Sequence, residues 1–269
     1  EKFGEVMNNA RRINILHGYY SPHRYITDNL DKIHTNAVHC NVQQCMKASF
    51  ILDLEHSFHF YMVQEWEDKI VEHAKYPFWI GIDEPKLNKE HDHLLHIPNF
   101  YEFKHNKDVV DNNIVGFAAR METRKCPHFL QGIKSELTTD PKDVLWWKRN
   151  LDIDTTDWKI YKFNYEFLGK FYERGWGISH SAHIYEPFGY SIFQAIDYGK
   201  LPILAKDWLP KYDYPFRAQS PEEFKEQYET ICKLSTKERQ EYLVPLRDYL
   251  RKFDNKKQWT EQLLKLYNE

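Results

Sequence analysis

Residues 186–202 read EPFGYSIFQAIDYGKLP, and this stretch decides the fold of the chain. A glycine-containing loop runs into a predicted helix over residues 190–198, and Gly199 follows as the left-handed residue that ends it. The unpaired N–H groups and the positive dipole end of a helix N-terminus favour an anion. Glu186 lies just outside that end, where its carboxylate can accept hydrogen bonds from a polyol. A tight strand-to-helix turn with a surface carboxylate explains the loop equally well.

Two cations, Arg120 and Lys125, follow a predicted buried strand at residues 113–119. Arginine can hold a diphosphate through two parallel hydrogen bonds, and lysine can hold it as a point charge. The spacing is common in solvated loops and indicates no site by itself. The cations and Glu186 both follow strands of one predicted sheet, and ligands bind beyond the carboxyl ends of such strands. Together the two features favour an anion-binding site at that edge.

Strand-type and helix-type stretches alternate along the chain, which predicts an α/β fold of parallel sheets with helices on both faces. Strands are predicted over residues 13–16, 78–82, 113–119, 159–163 and 201–204, with a further run ending at 184. Helices are predicted over residues 127–137, 166–174 and 190–198, and after capping boxes that begin at Ser220 and Ser235.

Composition excludes several classes of protein. Of the 269 residues, 42% are hydrophobic and 16% aromatic, which is enough for packed cores. The net charge of -3 lacks the basic surplus of a typical nucleic-acid-binding protein. Four cysteines do not make a disulfide framework and indicate reduced thiols in the cytoplasm. No stretch approaches the roughly 20 apolar residues of a membrane span, and no signal-peptide pattern opens the sequence.

Four ordered motifs resemble the signature of the retaining GT-B glycosyltransferases, the group that includes sucrose and glycogen synthases. That signature is a strand with G-R-x4-K-G and, later, E-P-F-G-x4-E-A-x3-G-x-P-V. Residues 116–130 read GFAARMETRKCPHFL, and residues 186–204 read EPFGYSIFQAIDYGKLPIL. HIPNF at residues 96–100 is similar to the I-P-N-G segment between the acceptor and donor domains. INILHGYYSPHRY at residues 13–25 is similar to the strand and His-Gly segment of the N-terminal domain.

The resemblance implies two Rossmann-like domains that face a cleft and bind a nucleotide-sugar donor, with a UDP-sugar favoured. Arg120 and Lys125 would neutralise the donor diphosphate, and Glu186 would hold hydroxyls of the donor sugar. His17 would lie across the cleft near C6 of the sugar. The motif requires no cofactor, and it is compatible with a divalent metal without indicating one. The backbone N–H groups of Phe188, Gly189, Tyr190 and Ser191 would meet the sugar and phosphate at the helix start, and Gln194 would lie at the nucleotide ribose.

Three residues depart from the family pattern. The second glutamate of E-x7-E, which binds the nucleotide ribose in the family, is Gln194 here, and glutamine is a weaker acceptor than a carboxylate. Ala119 replaces the glycine before Arg120, and Cys126 replaces the glycine after Lys125. These changes leave the nucleotide-sugar prediction in place and the identity of the donor open.

The predicted domains are a partial acceptor-side domain over residues 1–98, a donor-binding domain over 99–254, and a helix over 255–269 that packs back toward the first domain. We expect the first domain to be incomplete because it is short by several β-α units. The acceptor is open between a glycan, a small molecule and a hydroxymethylated DNA base, the last as in phage-type DNA glycosyltransferases. A non-catalytic nucleotide-sugar-binding module is the alternative from another class.

Two further groups of residues carry chemistry that the motifs leave unused. Histidines and cysteines within residues 34–45 and 91–96 are spaced too loosely for a typical zinc site. Trp146 and Trp147, followed by Lys148 and Arg149, can stack on bases or sugars, and they can equally be structural tryptophans.

Overall fold

The computed structural model describes residues 14–16, 37–41, 57–62, 76–79, 81–83, 95–184, 186 and 188–268, with backbone alone for the first four ranges and for residues 95 and 263–268. The chain divides into two compact units. The first comprises Glu1–Phe100 and Lys256–Glu269, and the second comprises Tyr101–Asn255.

Among its described residues, the first unit contains a parallel sheet of five strands in the order β1-β2-β3-β4-β5. The predicted strand over residues 13–16 is confirmed. The one predicted over 78–82 begins two residues earlier and ends at Trp79, and residues 81–82 form a bend instead. The strand bounds are Asn14–Leu16 for β1, Ala37–Asn41 for β2, Ser57–Met62 for β3, Tyr76–Trp79 for β4 and Leu95–His96 for β5.

The second unit is built on a parallel sheet in the order β10-β9-β6-β7-β8. Strands β6, β7 and β8 follow one another outward across the sheet, and β9 then pairs with the opposite side of β6. Ligands of open α/β sheets bind beyond the strand ends where the order reverses in this way, which here lies between β6 and β9. The bounds are Val115–Ala118 for β6, Ser135–Thr139 for β7, Trp158–Lys162 for β8, Ile178–Ser181 for β9 and Leu201–Leu204 for β10.

Helices cover the sheet of the second unit, and α3 packs against β9 and β10. The helices predicted over residues 166–174 and 190–198 are confirmed to within two residues, as α2 and α3. In the described part of this unit the helices are α1 Pro141–Leu151, α2 Tyr165–Tyr172, α3 Tyr190–Asp197, α4 Pro221–Cys232 and α5 Thr236–Leu250. A further helix, α6 Lys256–Asn268, belongs to the first unit, where the rings of Phe100 and Trp259 lie 5.1 Å apart.

The two predicted helix caps differ in one detail. Ser235 and Glu238 form the full capping box, in which each side chain accepts from the backbone N–H of the other residue. The Ser220 hydroxyl accepts from the backbone N–H of Glu223, as expected. The Glu223 carboxylate, however, accepts from the backbone N–H of Gln219 at 2.9 Å, so the second half of that box is not formed as predicted.

The helix predicted over residues 127–137 is wrong. Pro127–Leu130 forms only a short 3-10 turn, and Leu137 lies fully buried in β7. Cys126 and Gly132 bracket that turn with left-handed φ values of 50° and 71°, which stop helical propagation on both sides. Residues Ser135–Thr139 instead form β7, which pairs with both β6 and β8, so they cannot continue a helix.

Asp197, at the last position of α3, fixes the start of the second unit. Its buried carboxylate accepts from the Tyr101 hydroxyl at 3.2 Å. It also accepts from the backbone N–H groups of Lys104, His105 and Asn106 at 3.1, 3.0 and 2.7 Å. One side chain therefore satisfies three consecutive backbone donors and ties them to the helix that follows the Glu186 loop.

Replacement of Asp197 by asparagine should destabilise the protein by about 2–3 kcal/mol, because the new NH₂ group faces donors and hydrogen bonds to a charged acceptor are lost. Urea unfolding measures the loss. Asp207→Asn is the control, since Asp207 is exposed. Equal unfolding midpoints for the two variants would contradict the anchoring role of Asp197.

Candidate active site

Lys125 and Glu186 form an ion pair at the point where the strand order reverses. Lys125 ends a 3-10 turn, Thr123–Lys125, on the loop after β6, and Glu186 follows β9, the strand beside β6. The Lys125 ammonium donates to Oε2 of Glu186, and the two side chains are only 13% and 15% exposed. The backbone N–H of Ile184 donates to the carbonyl of Arg124 at 2.8 Å, which holds the two loops together.

Two buried histidines lie beneath this pair, and sequence reasoning missed both of them. His183 is 2% exposed, and its Nδ1 lies 3.5 Å from Oε2 of Glu186. That contact is longer than a well-formed hydrogen bond, and among the described residues neither ring nitrogen of His183 has a hydrogen-bond partner. His180 donates from Nε2 to the carbonyl of Cys126 at 2.8 Å and so fixes the residue that follows Lys125.

The charges of the pair are set by competing effects on each pKa. Burial raises the pKa of Glu186, but His183 and the charge of Lys125 outweigh it and bring that pKa to about 2. Burial lowers the pKa of His183 below its ordinary value, against the opposing effect of Glu186. Burial and the neighbouring His183 lower the pKa of His180 to about 3. The site at neutral pH therefore contains an anionic Glu186 above two neutral imidazoles.

Gly189 shapes the turn between Glu186 and α3. It has a left-handed φ of 81°, and its carbonyl accepts the first helical hydrogen bonds, from Ile192 at 2.8 Å and Phe193 at 3.2 Å. A Cβ here would lie 2.8 Å from Cδ1 of Ile192 and 3.1 Å from Cγ of Glu186. The position therefore requires glycine both for its backbone conformation and for the space that the Glu186 side chain occupies.

The same loop is anchored in the core through Phe188. Its ring is 3% exposed and stacks on Phe193 with centroids 4.6 Å apart. The indole N–H of Trp208 donates to the Phe188 carbonyl at 3.2 Å. These contacts fix the buried side of the start of α3 and leave its other side accessible.

The predicted donor-binding residues of α3 lie on its accessible side. Tyr190 is 48% exposed, Ser191 and Gln194 are partly buried, and the intervening residues are buried. Gln194 is one turn after Tyr190, so both side chains share one helix face. A ligand at the helix N-terminus could therefore reach Gln194.

Arg120 lies on the same loop as Lys125 but contacts a different carboxylate. Its side chain is 57% exposed, and its guanidinium lies 3.1 Å from Oε1 of Glu122. Arg124 donates to Oε2 of Glu122 at 2.8 Å, so Glu122 bridges two arginines. The structure brings Lys125 and Glu186 together and leaves Arg120 beside Glu122. The predicted His17 lies outside the described residues.

The predicted histidine- and cysteine-rich stretches, residues 34–45 and 91–96, fall largely outside the described part of the chain. Within that part, no group of three or more His, Cys, Asp or Glu side chains is placed to hold a metal ion. In the same residues, no helix combines the length and the apolar character needed to cross a membrane.

Solved structures share this architecture over most of the chain. Sucrose-phosphate synthase from Thermosynechococcus elongatus aligns with a TM-score of 0.67 at 14% identity, over 91% of this chain and 76% of that one. The pneumococcal O-GlcNAc transferase GtfA, in complex with UDP and GlcNAc, aligns at 0.59 and 12%, over 99% of this chain and 58% of that one. The fold is GT-B.

A third structure, the E. coli trehalose-6-phosphate structure bound with UDP-2-fluoro glucose, aligns with a TM-score of 0.62 at 9% identity, over 92% of this chain and 76% of that one. Identities this low establish the fold and not the reaction. The chain spans less than two thirds of GtfA, at 58%. No family model and no curated protein matches the sequence.

Gly189→Ala should destabilise the protein by about 1–2 kcal/mol from the left-handed backbone alone, with further loss from the contacts of the new methyl group. It should also weaken UDP binding, because displacement of Glu186 by the methyl group disturbs Lys125, its ion-pair partner and the expected diphosphate contact. Urea unfolding and calorimetric titration with UDP measure the two effects. Gly175→Ala is the matched control, since Gly175 has no neighbour within 4 Å and no left-handed φ. Equal effects of both substitutions would contradict this account of Gly189.

The ion pair also predicts a pH dependence of stability. The folded pKa of Glu186, about 2, lies below its ordinary value of 4.5, so the charged carboxylate stabilises the folded state above 4.5. That contribution should be lost as the pH falls from 4.5 through about 2. The free energy of unfolding of the wild type should therefore exceed that of Glu186→Gln at neutral pH and approach it in acid. Parallel pH curves for the two proteins would contradict the prediction.

Proposed function

We propose that the chain is a glycosyltransferase that moves a sugar, with retention of anomeric configuration, from a UDP-sugar to a hydroxyl acceptor. The observation that carries the proposal is the Lys125–Glu186 pair at the start of α3. The cation complements the phosphates of such a donor, and the carboxylate complements its sugar hydroxyls. The helix N-terminus stabilises the negative charge that develops on the leaving diphosphate. The GT-B neighbours solved with UDP and with UDP-2-fluoro glucose support UDP as the nucleotide.

The phosphate side of the donor would meet Lys125, Arg120 and the start of α3. An ammonium group has three donors, and Glu186 takes one of those of Lys125, so others can serve phosphate oxygens. Arg120 would turn from Glu122 to the diphosphate, an exchange that is inexpensive because its side chain is half-exposed. Glu122 would keep its contact with Arg124 during that exchange.

The sugar side of the donor would meet Glu186. The described contacts of its carboxylate, to Lys125 and His183, both use Oε2. A carboxylate offers about four acceptor positions, so a sugar hydroxyl can donate to Oε1 without disrupting the ion pair. The low pKa of Glu186 keeps it a pure acceptor at neutral pH. Gln194, on the open face of α3, would accept from or donate to the nucleotide ribose.

The reaction breaks the bond between the anomeric carbon and the β-phosphate oxygen and forms a bond from that carbon to the acceptor oxygen. The acceptor proton passes to the departing phosphate, so no protein base is required. Negative charge grows on the leaving diphosphate as the bond breaks. Fixed cations and a helix N-terminus stabilise that charge without having to reorganise.

Arg120→Ala should weaken UDP binding by about 10–100-fold, the effect of losing charge-assisted hydrogen bonds worth roughly 1.5–3 kcal/mol. Calorimetric titration with UDP measures it. Arg120→Lys should retain part of the affinity, because it keeps the charge and loses the paired geometry. Arg149→Ala is the control, since Arg149 is exposed on α1. Unchanged UDP affinity in Arg120→Ala would overturn the assignment of the phosphate site.

Turnover separates the enzyme from a binding module. The protein is incubated with UDP- and GDP-sugars and with glycans, small alcohols or hydroxymethylated DNA as acceptors, and sugar release and anomeric configuration are followed by NMR. The proposal expects release from a UDP-sugar and a product with the donor's configuration. UDP binding without sugar release under any acceptor would mean a non-catalytic module, and an inverted product would overturn retention.

A further inference from the structure

A second concave site lies in the second unit, between the loop after β6 and helix α1. We call it the Trp146 pocket. Its volume is about 330 Å³, within the roughly 300–1,000 Å³ typical of small-molecule sites. It is lined by residues of that loop and of α1: Met121, Glu122, Thr123, Asp143, Trp146 and Trp147. No role in the proposed transfer accounts for it.

The two tryptophans of the pocket have different environments. Trp147 is 3% exposed, and its indole N–H donates to the carbonyl of Met121 at 2.8 Å, which fixes α1 to the loop. Trp146 is 55% exposed, and its ring meets that of Trp147 edge-on with centroids 6.2 Å apart. Trp147 is therefore a structural residue, while the Trp146 ring presents an apolar surface to solvent on a rigid base.

The polar groups of the pocket are acceptors and a hydroxyl. Glu122 and Asp143 contribute carboxylates, and Thr123 contributes a hydroxyl that can donate or accept. Asp143 and Trp146 are three residues apart on α1, so the carboxylate and the indole share one helix face. Lys148 and Arg149 follow Trp146 in the sequence but do not line the pocket.

This combination of an indole with carboxylates selects the chemistry of the ligand. An anionic ligand such as a nucleic acid or a sulfated glycan would be repelled by Asp143, whereas the charge of Glu122 is neutralised by its contacts with Arg120 and Arg124. A pyranose ring has an apolar face that can cover an indole and equatorial hydroxyls that donate to carboxylates. An aromatic surface with a few convergent polar groups is the general form of such a site.

We propose that the Trp146 pocket binds one residue of an uncharged glycan, with the sugar ring stacked on Trp146 and its hydroxyls donating to Asp143 and Glu122. Its wall, Met121–Thr123, lies in the same loop as Lys125, directly after Arg120. A glycan that binds there lies on the second unit, next to the loop residues Arg120 and Lys125 that are predicted to bind phosphate. The proposal concerns binding, so it stands whether or not the chain transfers sugar.

The experiment titrates the full chain with uncharged oligosaccharides, maltoheptaose and N-acetylchitotetraose, and follows the tryptophan indole signals by NMR. Saturable shifts are expected for at least one of them. Trp146→Ala should weaken that binding by about fivefold or more, the effect of losing roughly 1 kcal/mol of ring contact. Trp146→Tyr should restore part of the affinity. Leu145→Ala is the matched control, because Leu145 is 51% exposed on the same helix and does not line the pocket.

Parallel titrations with UDP keep this proposal separate from the proposed function. Trp146→Ala should bind UDP like the wild type, and Gln194→Ala, which removes the proposed ribose contact on α3, should bind the glycan like the wild type. Three results would overturn the Trp146 proposal: no shift with either oligosaccharide, glycan affinity that does not depend on Trp146, or preferential binding of a heparin fragment or a single-stranded oligonucleotide to Trp146. A loss of UDP binding in Arg120→Ala with no glycan binding would leave the proposed function standing alone.

Discussion

The ion pair between Lys125 and Glu186 is the constraint on which the candidate site depends. Both side chains are mostly buried, and removing charges from water costs several kcal/mol per ion unless they are paired. Each charge is tolerable only because the other lies beside it. The pair therefore fixes the distance between the loops after β6 and β9, two loops that lie far apart in the sequence. Loss of either partner would leave an uncompensated charge in the same place, which is the costlier state.

The surroundings of the pair hold it in one geometry. His180 fixes the Lys125 loop through the Cys126 carbonyl, and Phe188 fixes the Glu186 loop in the core. Helix α3 is then held at both ends, by Gly189 at its start and Asp197 at its last residue. A site held in this way does not have to reorganise when charge develops on a ligand, and such preorganisation is the main source of electrostatic catalysis.

One short loop carries two electrostatic environments. At one side the Lys125 ammonium pairs with Glu186 before α3, and at the other the Glu122 carboxylate pairs with two arginines beside Trp146. Glu122 separates the two, because it bridges Arg120 and Arg124 while lining the Trp146 pocket. Under both proposals an anionic diphosphate and an uncharged sugar residue would bind to different residues of the same loop, the diphosphate to Arg120 and Lys125 and the sugar residue beside Glu122. Movement of Arg120 toward a diphosphate would leave Glu122 with greater capacity to accept from a hydroxyl.

The sequence alone determined the features whose causes are local: strands β6, β8 and β10, helix α3 with Gly199 after it, and the Ser235 cap. Hydrophobic runs and capping residues act over a few positions, so neighbouring residues suffice to predict them. Tertiary structure decided what depends on distant contacts. Pairing in the sheet made Leu137 part of a strand rather than of a helix, and the strand order placed Glu186 against Lys125. The burial of His183 next to this pair also follows from packing. A histidine three residues before a glutamate gives the same sequence pattern whether its side chain is exposed or buried, so the sequence could not predict it.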